Sequence, residues 1–171
     1  MGTLAHQHVT LPVGLVAARL GGPAPHRAAR GRPRGAAVDA ARNCGATPLY
    51  IASQQGHFEV VQELLARGAA VDAARNDGAT PLYVASQNGH LEVVRELLAR
   101  GAAVDTAADG GFTPLYIASQ EGHLEVVREL LARGALPGVA DHNGATALTS
   151  ANANGHAAIA QLLRAALSAA P

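Results

Sequence analysis

A sequence period of 33 residues, starting at Gly35, constrains this chain more than any other feature. The segment GAAVDAARNCGATPLYIASQQGHFEVVQELLAR (35–67) is followed by GAAVDAARNDGATPLYVASQNGHLEVVRELLAR (68–100). The two differ only at Cys44/Asp77, Ile51/Val84, Gln55/Asn88, Phe58/Leu91 and Gln62/Arg95. A third copy, GAAVDTAADGGFTPLYIASQEGHLEVVRELLAR (101–133), differs from the second at seven positions. A fourth begins at Gly134 and keeps Gly144, Thr146, Leu148, Gly155, His156 and Leu163, but carries Ala147 for the proline and Thr149 for the tyrosine. A period of this length means one small structural unit reused, each copy burying its apolar surface against the next.

Within a copy, Thr47 followed by Pro48 sets an N-cap beside a residue suited to the first helical position, and Gly56 ends the helix it starts. A second helix is predicted from about His57 to Arg67. Its Val60, Val61, Leu64 and Leu65 form one stripe, with Glu59, Gln62 and Glu63 on the opposite face. The stripe recurs as Val93, Val94, Leu97, Leu98 and as Val126, Val127, Leu130, Leu131. Helices of about two and three turns do not persist alone in water, so packing must hold them. Gly68, Gly101 and Gly134 stop the second helices. The runs that follow (Asn76, Asp77, Gly78; Asp109, Gly110, Gly111) predict tight turns.

The run T-P-L-Y-[IV]-A-S-x-x-G-H-[FL]-E-V-V-x-E-L-L-A-R-G-A, at 47–69 and twice more, resembles the ankyrin repeat in its period, its TPL opening, its GH pair and its LLxxGA close. The resemblance covers residues 35 to about 166. One departure is consistent: Tyr50, Tyr83 and Tyr116 stand where most ankyrin repeats carry histidine. It implies an all-α solenoid of stacked antiparallel helix pairs with projecting β-turn fingers and a concave surface for protein recognition. The expected repeats are 35–67, 68–100, 101–133 and 134–166. The last is expected to cap the array, since Arg164 replaces a repeated leucine and Ala157, Ala158 and Ala160 shrink the second helix. Residues 1–34 are expected to form a disordered basic tail and 167–171 a C-terminal tail. No cap is recognisable ahead of Gly35.

Charge is unevenly spread. Lysine is absent, and the 13 arginines balance 13 acids. Residues 1–34 hold five arginines and no acid, leaving eight arginines against 13 acids from 35 onward, a net of −5. The single cysteine, Cys44, excludes an internal disulfide and fits a cytoplasmic or nuclear setting. No apolar run approaches the roughly 18 residues of a membrane span. An organelle transit peptide would be arginine-rich and acid-poor, as residues 1–38 are, but also serine-rich, and they hold no serine.

His57, His90, His123 and His156 recur with the period, which raises a metal reading. Packed helices lie about 8–10 Å apart, too far for equivalent imidazoles to share an ion at about 2 Å. A capping or bridging role at the start of the second helix is preferred. The tyrosines read as core between repeats with their hydroxyls hydrogen-bonded. Cys44 reads as an exposed thiol with no histidine base placed beside it. No phosphate loop, G-x-S-x-G or H-E-x-x-H occurs, so neither an enzyme nor a cofactor is expected. Glu63/Arg67, Glu96/Arg100 and Glu129/Arg133 stand four apart as weak surface pairs.

Positions that differ between near-identical copies are those free to carry specificity. In the turns these are Asn43, Cys44 and Ala46; Asn76, Asp77 and Ala79; Asp109, Gly110 and Phe112; His142, Asn143 and Ala145. Just past the first helices come Gln54 and Gln55, Gln87 and Asn88, Gln120 and Glu121, then Ala153 and Asn154. By the resemblance both sets line the concave face. Phe112 is the leading anchor, replacing alanine at a position whose spacing predicts exposure, with turn filling as its alternative role. The chain is therefore expected to be a monomeric binding module or adaptor for a protein partner, without a membrane span. Two alternatives stand beside it. Residues 26–35, HRAARGRPRG, offer charge to nucleic acid or chromatin, although four arginines without aromatics weigh against that use. The chain is otherwise a fragment of a larger ankyrin scaffold.

Overall fold

The computed structural model describes residues 38–169, so the basic segment 1–34 lies outside the described residues. Among these residues eight α-helices follow in pairs: α1 (Pro48–Gln55) and α2 (Phe58–Ala66), α3 (Pro81–Gln87) and α4 (Leu91–Ala99), α5 (Pro114–Glu121) and α6 (Leu124–Ala132), α7 (Ala147–Ala153) and α8 (Ala157–Ala169). The first helices α1, α3, α5 and α7 pack in one row and the second helices in another. The first row packs more closely than the second. This is the all-helical solenoid that the repeats imply.

Local chemistry explains each start. Thr47, Thr80 and Thr113 stand in extended backbone, and their hydroxyls accept from the amides of Tyr50, Tyr83 and Tyr116 at 3.2, 3.1 and 3.2 Å, with proline at the first helical position. In the last copy Thr149 compensates for the lost proline. Its hydroxyl accepts from the Thr146 amide at 2.7 Å while Thr146 accepts from the Thr149 amide at 3.3 Å, a reciprocal cap. The core is a leucine ladder: Leu49, Leu82 and Leu115 from the first helices and Leu64, Leu97 and Leu130 from the second are fully enclosed, with Ile159 and Leu163 closing it. Each such side chain contributes about 1.5–3 kcal/mol by leaving water. At the end of the array Arg164 is exposed and donates to Asn152 Oδ1 at 3.1 Å. Helix α8 continues to Ala169, so the expected C-terminal tail begins as helix.

Three hydrogen-bond ladders lock neighbouring copies. His90, His123 and His156 reach back to the carbonyls of Gln54, Gln87 and Gln120 at 2.9–3.0 Å. No imidazole caps its own helix at α2, α4 or α6. Bridging, not capping, is thus what the structure displays for these residues. Each ring lies over the glycine that ends the previous first helix: a Cβ on Gly89 would sit 2.6 Å from His123 Nδ1. The carboxylates of Asp39, Asp72 and Asp105 accept from the amides of Ala70, Ala103 and Leu136 in the next copy at 3.1 and 3.3 Å. Finger tips join as Asn76, Asp109 and His142 donate their amides to the carbonyls of Cys44, Asp77 and Gly110 at 2.8–3.0 Å. The three expected Glu/Arg pairs also form, and Glu129 additionally accepts from Arg95 at 2.9 Å, tying α6 to α4.

Candidate functional site

The second finger is a tight turn, closed by the Arg75 amide on the Ala79 carbonyl and the Gly78 amide on the Arg75 carbonyl, both at 2.9 Å. Asp77 Oδ1 accepts from the Ala79 amide at 3.2 Å, which fixes the carboxylate inside the turn. There it meets Arg75 in a two-pronged pair, Nε to Oδ1 at 2.9 Å and Nη2 to Oδ2. The guanidinium in turn lies over the Tyr50 ring of the preceding copy, 5.5 Å from its centroid, a contact worth about 0.5–1 kcal/mol at a partly exposed site.

These neighbours shift one another's proton affinities. The Arg75 hydrogen bond holds the Asp77 carboxyl below the usual range against a smaller upward push from burial, and the same bond raises the Arg75 guanidinium. Burial pushes the Tyr50 phenol up, opposed by Arg75. Burial also raises Tyr83, and the negative charges of Asp77 and Glu121 add to that shift.

Around this pair opens a groove of about 190 Å³. Tyr50 and Gln54 of the first copy line it, with Arg75, Asp77, Ala79, Tyr83 and Gln87 of the second and Ala108 and Asp109 of the third. The structure thus brings together four of the expected partner-binding residues, Gln54, Asp77, Gln87 and Asp109. Gln54, Gln87 and Asp109 are exposed.

The other expected residues lie outside this groove. Asn76 Nδ2 donates to the Asn43 carbonyl at 3.2 Å, so these two serve the finger ladder beside the exposed Cys44. Gln55 and Asn88 are both exposed, and Asn88 donates its side-chain amide to the Val84 carbonyl of the helix it follows at 2.8 Å. Gln120 and Glu121 adjoin each other through a 3.4 Å contact. His142 and Asn143 are exposed on the last finger, where the Asn143 amide donates to Asp141 Oδ1 at 2.8 Å.

Two expectations require correction. Phe112 is half-buried rather than exposed, its ring 5.0 Å from that of Tyr116 at 45°. The fourth turn position points inward in the other full copies too, where Ala46 and Ala79 are buried. The tyrosine hydroxyls, expected to be hydrogen-bonded, make no bond to a protein group among the described residues, although the rings of Tyr50 and Tyr116 are core. Tyr50 and Tyr83 line an open groove, where water serves a hydroxyl as well as a protein partner does.

Arg75, Tyr50 and Tyr83 were absent from the residues expected to bind a partner. Arg75 was discoverable, because its position reads Arg42, Arg75, Ala108 and Asp141 across the four copies and so varies as the neighbouring turn positions do. The tyrosines do not vary and had no such signal. Chemically the groove offers amide, carboxylate, guanidinium and phenol groups together, a set suited to directional reversible contacts.

Among the described residues no helix is long and apolar enough to cross a membrane. The family model described as ankyrin repeats (3 copies) matches residues 26–108 and 103–169. No curated protein matches the chain.

Proposed function

Because the chain belongs to the ankyrin-repeat family, a family of protein-interaction modules, we propose that it is an adaptor without catalytic activity of its own, holding a protein partner in its concave groove. One observation carries this reading. His90, His123 and the Asp39, Asp72 and Asp105 carboxylates, at positions repeated in the full copies, are consumed by bonds between repeats, while the repeated Tyr50, Gln54, Tyr83 and Gln87 line the groove. Several positions that vary between copies, including Arg75, Asp77 and Asp109, also converge on the groove. A scaffold so divided keeps its fold while its contact surface changes, which is how one fold serves unrelated partners. We place it as a monomer in the cytosol or nucleus, where an exposed thiol such as Cys44 stays reduced.

Affinity capture from cell extract tests the reading, comparing the wild-type chain with a Gln54→Ala, Gln87→Ala, Asp109→Ala variant after circular dichroism has confirmed equal helicity. The three side chains are exposed, and their removal should leave the fold intact. A partner retained only by the wild type is expected. Identical capture by both would refute the groove as the contact surface.

A further inference from the structure

We propose that the groove between the second and third fingers receives an arginine side chain from an extended segment of the partner protein; this rests on the concave-face reading above and names the chemistry that would occupy it. The local charge balance points that way. Among the described residues Arg75 is the groove's only guanidinium, and its Nε and Nη2 both donate to Asp77, which leaves that pair internally neutral. Asp109 lines the same groove, is exposed, and its carboxylate takes no hydrogen bond among the described residues. Glu121 adds a second negative charge close enough to raise the Tyr83 phenol.

Tyr50 supplies an independent sign. The residue is 4% exposed, yet it lines the groove with a hydroxyl that has no partner among the described protein groups. Among the described residues the groove's acceptor-only group without a partner is therefore the Asp109 carboxylate, and the Gln54 and Gln87 amide oxygens and the two phenol oxygens stand beside it able to accept as well. Arginine presents five donors and no acceptor on a plane that also stacks on aromatic rings. An anion would meet Asp109 and find Arg75 already committed.

Size selects a side chain over a free metabolite. About 190 Å³ falls below the roughly 300–1,000 Å³ of pockets that enclose small molecules. Residues 35–171 carry a net charge of −5, balanced over the whole chain by the five arginines of residues 1–34, so the charge that favours a basic segment acts at close range, on the repeats themselves.

The test is a titration of the full-length, ¹⁵N-labelled chain followed by amide chemical shifts. The probes are a short Gly/Ala peptide with one central arginine and its glutamine and glutamate counterparts. The arginine peptide should shift the amides of Tyr83, Gln87 and Asp109, with a dissociation constant on the order of a millimolar. The other two peptides should not. Asp109→Asn should weaken binding about tenfold, the cost of one charge-assisted hydrogen bond, while Glu59→Gln, which removes the same charge from exposed α2, leaves it unchanged. Gln87→Ala provides a second variant away from the turn and should weaken binding about threefold.

Equal weakening by Asp109→Asn and Glu59→Gln would reduce the effect to diffuse attraction and overturn the proposal. So would groove shifts with the glutamate peptide, or none with the arginine peptide. Groove amides that move when Arg27, Arg30, Arg32 and Arg34 are changed to glutamine, with no peptide added, would assign the site to the chain's own arginines. In any of these cases a partner lost from the triple variant in the capture experiment would still uphold the groove as a contact surface, so the two readings fail separately.

Discussion

Gly89 and Gly101 share a left-handed backbone, with φ of +73° and +86°, but differ in what surrounds them. An alanine Cβ at Gly101 would meet nothing within 4 Å, whereas at Gly89 it would press 2.6 Å from His123 Nδ1. Gly101→Ala should therefore cost only the conformational penalty, about 1 kcal/mol. Gly89→Ala carries the same penalty and must also displace the His123 ring, which loses its 2.9 Å bond to the Gln87 carbonyl, worth about 1 kcal/mol. A total of about 2–3 kcal/mol is expected. His123→Ala alone should cost about 1 kcal/mol, because it removes the same bond without the strain.

The double variant separates the two causes. With the ring gone, the Gly89 methyl has room, so Gly89→Ala combined with His123→Ala should cost no more than Gly89→Ala alone. The coupling should then be about 1 kcal/mol, beyond the roughly 0.5 kcal/mol scatter of independent sites. Urea unfolding followed by circular dichroism at 222 nm measures all four variants against the wild type. Equal losses for Gly89→Ala and Gly101→Ala, or strictly additive losses in the double, would refute the claim that the histidine ladder is an interface between repeats.

Two further outcomes follow from the same geometry. Leu97, fully enclosed in α4, lies between copies on both sides, so Leu97→Ala should lower stability by about 3 kcal/mol in urea unfolding, and a loss under about 1 kcal/mol would contradict the leucine ladder as the core. Asp77, whose folded pKa is depressed by Arg75, stabilises the fold above its unfolded pKa of about 3.9, and that contribution disappears as pH falls through the lower folded value. With both side chains more than a third exposed, the pair contributes about 0.5 kcal/mol after solvent screening, so Asp77→Asn should destabilise by that amount at pH 7 and by nothing at about pH 2. A penalty independent of pH would assign the loss to the turn hydrogen bond with Ala79 instead of the ion pair.

What was legible in the sequence is what a single copy decides by itself. Thr47 beside Pro48 announces a helix start because the cap hydroxyl and the amide it satisfies lie three residues apart. Val61 and Leu64 announce a buried face because both belong to one helix. Features formed between copies were harder to read. The reach of Asp72 to the Ala103 amide spans 31 residues and depends on how far the next turn is translated and rotated, which a period alone does not specify. Phe112 shows the same limit: its turn position is visible, but whether that position faces solvent depends on Tyr116 and the packing beneath it. The groove is the extreme case, assembled from three copies, with Tyr50 and Arg75 meeting only after stacking. Yet variation between copies still marked part of it, because scaffold positions are held uniform by bonds that every repeat must make and the remaining positions are free to differ. Applied to the whole turn, that comparison also selects the position occupied by Arg42, Arg75, Ala108 and Asp141. At that position the third copy carries Ala108, so the part of the groove lined by Asp109 has no guanidinium from its own turn, whereas Arg75 beside it is taken up by Asp77.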